Sequence, residues 1–425
     1  MLHLPADCVL IPVQAGELLI SPSMGTYCAV LPDESAHFHR WMQDNCGQLP
    51  ESLDDRLKKH GFYGEARPYR APSQLLQFQI TNACNLRCAY CSADSGVARP
   101  NELTLADIKQ TVDEACRLFP NIHISFTGGE PLLVPWLFEA IDYAAERSGH
   151  KIGLLTNLLL LKHNDQLFDK VVRFIKNGHQ LRASVSGADR EVCNRLSGRD
   201  CYDDFIEMVC RLDQAGVLPE IDLMLSAPDS DANVAAFGQF RRSLPEKISI
   251  SVGEIYICGR EKGDHIYHSV SDKEKTFDGI TFEGGVCVPS SEQSPVTCRR
   301  KGCSCVENEN LYIRSDGGVY TCFKLVDSIG HISEGLETVT ARRRKNFRFA
   351  AESDMCRACP FVHLCGNGCH ADNVIFQSMH RESWCGPWRK KLIAEMLFDD
   401  KPYIFDWSLL HQMAEAKNRG FMQGE

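Results

Sequence analysis

From about residue 75 to 257 the chain alternates two kinds of apolar pattern. LLQFQI, IHISF, KIGLLT, LRASVS, IDLML and ISISVGEIYI are short runs, alternating apolar and polar or continuously apolar. That is the pattern of strands buried on at least one face. Between them lie longer stretches with apolar residues three and four apart, which predict helices at 104–118, 135–147, 165–176, 203–215 and 232–242. Thr104 to Asp107 reads as a capping box opening the first. A strand–helix alternation of this length predicts parallel strands joined by right-handed crossovers, hence an α/β fold.

The flanks read differently. In residues 1–70, VLIPV, GELLI and MGTYCAVL look like three short strands with turns at Gly16, Pro22 and Gly25. Helical spacing follows over 33–45 and 53–60, with Gly61 as a stop signal. Three strands and then helices give a winged-helix-like α+β order. From Cys287 onward cysteine, glycine and turn residues dominate. NLYIRSDGGVYTC fits a short hairpin ending at Cys322, 342–348 reads as a basic, solvated helix face, and helical spacing returns around 392–397, where the tail is expected to pack on the barrel mouth or base.

Composition narrows the function classes. The 425 residues are 44% hydrophobic and 24% charged, room for two or three domains. A formal net charge of -10 argues against nonspecific nucleic-acid binding. No apolar run reaches the length of a membrane span, and the N-terminus shows no export signal. Of 21 cysteines, many sit in close C-x2-C and C-x3-C clusters, which suit metal in a reducing cytoplasm better than disulfides. Cys8, Cys28, Cys46, Cys116, Cys193, Cys201, Cys210 and Cys258 fit no such spacing and read as small buried hydrophobes.

The chemistry concentrates in QITNACNLRCAYC, where Cys84, Cys88 and Cys91 stand as C-x3-C-x2-C directly after the first strand of the alternation. Three thiolates leave one iron of a cubane open to bind a substrate or cofactor, whereas four would close it. A zinc knuckle is the plain alternative, although it usually brings four ligands and a two-residue first gap. After the second strand comes Thr127-Gly128-Gly129-Glu130-Pro131, two glycines for close backbone approach and a carboxylate that can accept from an ammonium.

Together these motifs resemble the radical S-adenosylmethionine enzymes. The resemblance implies a partial (β/α)6 barrel with its site at the C-terminal strand ends. It implies a SAM-binding [4Fe-4S] cluster on Cys84, Cys88 and Cys91, with the family-typical Tyr90 before the last cysteine. An electron from that cluster would cleave S-adenosylmethionine to a 5′-deoxyadenosyl radical. Gly128, Gly129 and Glu130 would hold the methionine amino group, and Thr156, Asn157, Ser184 and Arg195 the ribose or carboxylate. The nearest subfamily reads SLDG at the fourth strand and HD-x-x-RG after it. Here Ser186 stands at the acidic position and Ser197 at the arginine position, with Arg195 two residues earlier. Gly259-Arg260 after the sixth strand again resembles that subfamily.

The late cysteines resemble the SPASM extension, which holds two auxiliary cubanes. Carried over, Cys305, Cys322 and Cys369 with Cys298 would bind the first, Cys303 being the alternative upstream ligand; Cys356, Cys359, Cys365 and Cys385 would bind the second. The stretch ELLISPSMGTYCAVL resembles the PqqD-type peptide-recognition domain, in which a leader peptide adds as a strand to the sheet edge; a simple cap on the barrel is the other reading of this segment. The domains expected are 1–70 for leader recognition, 75–285 for the barrel, 286–400 for the auxiliary clusters and 401–425 for the tail. The implied activity is oxidative cross-linking, carbon–carbon or ether, of a ribosomally made precursor peptide, with an external one-electron reductant such as flavodoxin or ferredoxin. Thioether-forming and sulfatase-type maturases are the enzyme alternatives, and an iron–sulfur electron carrier is the alternative of a different class. No residue is singled out as the substrate's acid or base.

Overall fold

The computed structural model describes residues 4–44, 48–66, 68, 74–256, 258–265, 304–346, 354–365, 394, 397 and 398. The chain divides into two compact units. One comprises Ser73–Ser290 and Asn308–Asn346; the other comprises Met1–Pro72, Ser291–Glu307 and Phe347–Glu425.

In the second of these the sheet is an antiparallel meander, β1 (Val9–Val13), β2 (Gly16–Ser21) and β3 (Thr26–Val30), followed by helices α1 (Pro32–Asp44) and α2 (Glu51–Lys59). Leu18, Leu19 and Ile20 of β2 are all fully buried, because this central strand is covered on both faces. Leu19 packs with Cys28, Val30, Phe38, Leu53 and Leu57 under the two helices. Leu18, Ile20 and Tyr27 pack instead with Phe361, Leu364, Ala394 and Leu397. Of the tail, the described Ala394 and Leu397 pack on this meander: apolar surface on the second face of β2 needs cover, and they help supply it. GELLI, moreover, is not an edge: β2 is paired on both sides, and β1 and β3 are the outer strands.

The larger unit carries six parallel strands in sequential order: β4 (Leu75–Gln79), β5 (His123–Thr127), β6 (Gly153–Thr156), β7 (Gln180–Val185), β8 (Glu220–Leu225) and β9 (Ser249–Glu254). Between them run α3 (Leu105–Leu118), α4 (Leu137–Ser148), α5 (Asp165–Lys176), α6 (Arg190–Ser197), α7 (Tyr202–Gln214) and α8 (Ser230–Arg242). The period-2 pattern has a direct physical outcome. Leu76, Phe78, Ile124, Phe126, Leu154, Leu181, Ala183, Ile221, Leu223 and Ile250 join the helices' apolar faces in one core. The alternate positions are polar: Gln77 donates to Ser125 (3.2 Å) and Arg182 pairs with Asp222. Thr104 and Asp107 cap α3 reciprocally, as their spacing predicts. The helix α6 has no counterpart among the elements expected from the sequence; Asp189 caps its start by accepting from the Val192 N–H (2.9 Å).

The sheet does not end at β4. The hairpin β10 (Leu311–Ile313) and β11 (Gly318–Tyr320) forms as its sequence predicts, and β12 (Gly330–His331) joins it. Strand β10 then pairs parallel to β4, extending the sheet to nine strands. Two short helices, α9 (Ser304–Glu307) and α10 (Leu336–Asn346), flank this addition in sequence. The basic run on α10 is not wholly solvated: Arg343 is buried, Arg342 pairs with Glu334 (2.5 Å), and Arg344 takes both oxygens of Glu309 (2.6 and 2.7 Å).

Candidate functional site

The cysteine loop leaves β4 and folds back on itself. Cys84 N–H donates to the Gly96 carbonyl (3.1 Å) and Gly96 N–H to that of Asn82 (2.9 Å). Glu102 organises the start of the loop, accepting from Thr81 Oγ1 (2.7 Å), Asn82 N (2.6 Å) and Arg99 N (3.0 Å). No sequence signal marks Glu102, which sits in an ordinary polar run before the α3 cap.

Two backbone amides already point at sulfur, Leu86 N at Cys84 Sγ (3.4 Å) and Ser95 N at Cys91 Sγ (3.3 Å), the donors a thiolate ligand needs. Burial pushes the thiols of Cys84 and Cys88 up, to about 11 and about 12, each further raised by the neighbouring cysteines of the loop. These groups stay protonated until a cation draws them to thiolate. Among the described residues no three cysteine, histidine or carboxylate side chains converge on a single-ion site. A cubane takes one thiolate per iron and does not require that convergence. The donor set and the amide-to-sulfur bonds therefore fit a three-cysteine cluster.

Beside the loop lies the exit of β5. Ile80 N–H donates to the Thr127 carbonyl (2.9 Å), Gly129 N–H to that of Thr81 (2.7 Å) and Glu130 N–H to that of Ala83 (2.8 Å). A Cβ on Gly129 would lie 2.2 Å from the Ala83 carbonyl oxygen. The close approach that the glycines permit is thus to the cysteine loop itself, in addition to any ligand.

Glu130 is fully buried. Its carboxylate accepts from Thr156 Oγ1 (2.7 Å), Leu132 N (3.0 Å) and Asn157 N (2.9 Å). Burial nevertheless dominates and raises its pKa to about 7. Asn157, at the β6 exit, also donates to Asn85 Oδ1 in the cysteine loop (2.8 Å). Thus Glu130, Thr156 and Asn157 form one constellation tied to the cysteine loop.

The other expected contacts fall elsewhere. Ser184 is half-buried on β7, in register with Asp222. Arg195, on α6, forms an ion pair with Asp229. Ser186 and Ser197, which replace the subfamily's acid and arginine, are hydrogen-bonded to each other (2.9 Å), and Ser186 shares a second bond with the Tyr90 hydroxyl (2.7 Å). A neutral hydroxyl chain stands where the subfamily sequence has two charges.

Among the later cysteines, Cys322 follows β11 and is buried. Cys356 in α11 (Asp354–Arg357) is buried, and the Cys359 N–H donates to its carbonyl (2.9 Å). Cys359 packs partly buried against the cluster of Leu18, Ile20 and Tyr27. Cys305 lies in α9, and Cys365 ends α12 (Val362–Cys365). Cys298, Cys303, Cys369 and Cys385 lie outside the described residues. Of the cysteines read as plain hydrophobes, Cys28, Cys193, Cys201 and Cys258 are buried, and Cys8, Cys116 and Cys210 half-buried; Cys46 lies outside the described residues. No helix among the described residues is long and apolar enough to cross a membrane.

Residues 78–236 match the family model described as Radical SAM superfamily. The chain is 22% identical over 319 residues to a mycofactocin maturase, MftC, of Mycolicibacterium smegmatis, covering 70% of this chain and 78% of that one. It is 23% identical over 395 residues to the antilisterial bacteriocin subtilosin biosynthesis protein AlbA of Bacillus subtilis, covering 88% and 85%. In fold it is similar to Streptococcus suis SuiB, solved bound to its precursor peptide SuiA, with a TM-score of 0.54 at 16% identity over 88% of this chain and 97% of that one.

Proposed function

The chain carries a radical SAM domain over residues 78–236, and from that premise we propose that it is a maturase that cross-links a ribosomally made precursor peptide. The observation that carries this reading is the coupling of a three-thiol loop to the buried Glu130–Thr156–Asn157 constellation at the neighbouring strand exits. Similarity to proteins named as a mycofactocin maturase and a subtilosin biosynthesis protein supports the peptide substrate.

Cys84, Cys88 and Cys91 hold one [4Fe-4S] cluster. The cluster and S-adenosylmethionine together supply a reducing electron and a hydrogen-abstracting radical. Glu130, ionised, accepts from the methionine ammonium; Asn157 and Thr156 keep its carboxylate oriented; Tyr90 and Ser186 brace the loop. Ser184 and Arg195 contribute to the carboxylate and ribose side, Arg195 only by exchanging its Asp229 partner. In the C-terminal segment Cys298 or Cys303 with Cys305, Cys322 and Cys369, and Cys356, Cys359, Cys365 and Cys385, hold two auxiliary clusters. An external one-electron reductant starts each turnover.

Electron counting favours a cross-link. Removing a hydrogen atom leaves a carbon radical on the peptide. Closing a carbon–carbon, carbon–oxygen or carbon–sulfur bond then releases one more electron and one proton, and an auxiliary cluster held by the late cysteines would supply the acceptor. The leader is held on the N-terminal meander by strand addition. The edge used is β3: β1 carries Pro12, which lacks an N–H, and β2 is interior.

The test is mass spectrometry of the precursor peptide after anaerobic reaction with the reconstituted enzyme. The expected product has lost two hydrogens, with fragmentation blocked between the joined residues, and the fragments tell a carbon–carbon or ether bond from a thioether. Unchanged mass in ordinary water, with deuterium gained when the reaction is run in heavy water, overturns the cross-link in favour of epimerisation.

A further inference from the structure

Gly259 and Arg260 follow β9, yet among the described residues the polar contacts of Arg260 fall on the cysteine loop. Its backbone N–H donates to the Cys91 carbonyl (2.9 Å). Its guanidinium donates to the Cys88 carbonyl, to the Ser95 carbonyl (2.5 Å) and to the Asp94 carboxylate (2.9 Å). Gly259 makes this approach possible: its φ is +60°, and a Cβ there would lie 2.3 Å from the Ser92 oxygen and 2.4 Å from the Cys91 oxygen. On the other side the end of α6 grips the same loop, with Arg87 N–H donating to the Ser197 carbonyl (3.0 Å) and Ala89 N–H to the Leu196 carbonyl (2.8 Å).

A loop bearing three cluster ligands gains affinity if its thiols are placed before iron arrives, since ordering it afterwards draws on the binding energy. A planar guanidinium is well shaped for such placement. Its rigid planar fork donates from three separate nitrogens to three acceptors, whereas an ammonium offers its donors from a single nitrogen on a flexible stem. We propose that Arg260 is a positioning residue, a latch that fastens the loop bearing Cys84, Cys88 and Cys91 to the exit of β9 and fixes a positive charge beside it. This rests on reading those cysteines as cluster ligands. The latch itself is made of protein atoms alone, so it exists in the metal-free chain.

Two variants of the full chain test it, Arg260→Gln and Arg260→Lys. In the metal-free protein, hydrogen–deuterium exchange across residues 84–96 should quicken about tenfold in Arg260→Gln, the scale of losing charged hydrogen bonds. Exchange in β4 to β8 should not change. Arg260→Lys should also quicken the loop, because it keeps the charge and loses the fork. After anaerobic loading, Arg260→Gln should move the midpoint potential of this cluster to more negative values, since a fixed cation favours the reduced state, and Arg260→Lys should stay near wild type. Loop exchange in Arg260→Gln equal to wild type overturns the latch. A wild-type potential in Arg260→Gln makes the contact merely structural and overturns the positioning role. A wild-type chain that takes up no cluster sinks the proposed function instead, and metal-free exchange still decides the latch.

Discussion

A carboxyl group with no solvent around it is costly to ionise, and Glu130 is such a group. Its three accepted hydrogen bonds favour the charged form, but burial outweighs them and lifts the pKa from 4.5 to about 7. An acid raised in the folded state contributes stability below its unfolded pKa, and that contribution fades as pH climbs through the folded value. Ionising Glu130 in the ligand-free protein therefore costs about 3 kcal/mol, spread between pH 4.5 and about 7. An ammonium bound at the carboxylate reverses the balance. Affinity for S-adenosylmethionine should accordingly fall below pH 7, approaching tenfold per pH unit, and Glu130→Gln should bind weakly with a flatter profile. Equilibrium dialysis of the cluster-loaded enzyme reads this, and a flat wild-type profile would mean that Glu130 does not hold the ammonium. At Gly129 the argument is steric. A methyl group 2.2 Å from the Ala83 oxygen forces β5 and the cysteine loop apart, so Gly129→Ala should cost about 1–3 kcal/mol and lower iron loading, seen as a reduced Tm and less bound iron. Cysteines and GGE are legible in the sequence because they are dense local motifs. Glu102 and the latch role of Arg260 are not, since they lie in contacts that the fold creates; Arg260 reaches Asp94 across 166 positions.

Elements with a clean period follow the sequence closely. The expected helix 165–176 coincides with α5, Asp165–Lys176, because Asn164 caps its start and its apolar spacing is unbroken. Helix α6 escapes sequence reading because its few residues are too short a run to show a period. The hairpin β10–β11 is legible from its turn, whereas its parallel pairing with β4 is not: a strand carries no sequence mark for a partner so distant along the chain. The N-terminal meander shows the same limit. Its three strands are readable, but the covered second face of β2 depends on residues beyond 360, and the interior place of GELLI on its pairing with both β1 and β3. A proline in GELLI would therefore break the sheet itself and say nothing about leader binding. Hydrogen exchange on adding the precursor is the informative measurement. Strand addition at β3 predicts protection of Thr26–Val30, on top of the bonds already made to β2. Part of that edge is engaged, since the Arg56 guanidinium donates to the Ala29 carbonyl (3.2 Å), so the leader must pair on either side of that point. Protection of β1 alone would move the site to the other edge, and no protection anywhere in 9–30 would leave the meander as a cap.

At the scale of the whole molecule the metal count ties the two compact units to one proposal. Three cubanes require about 12 irons per chain. Replacing Cys84, Cys88 and Cys91 with Ala should remove about a third of them and abolish S-adenosylmethionine cleavage. The C-terminal share has a second dependence. Cys359 packs against the same apolar cluster as Leu18, Ile20 and Tyr27. Deleting residues 1–72 would uncover Phe361, Leu364, Ala394 and Leu397, of which the Phe and Leu side chains are each worth about 1.5–3 kcal/mol when fully buried. The cysteines Cys356, Cys359 and Cys365 would then stand on an unsupported segment. The truncated protein should keep the cluster on Cys84, Cys88 and Cys91, cleave S-adenosylmethionine, and drop towards about 8 irons per chain as the second auxiliary cluster is lost. Iron and acid-labile sulfide in anaerobically reconstituted protein measure both effects. Full iron in the truncated chain would show that the meander only covers that segment. Zinc in the late sites of the intact chain would overturn the auxiliary clusters and, with them, the electron acceptor that the cross-linking chemistry requires.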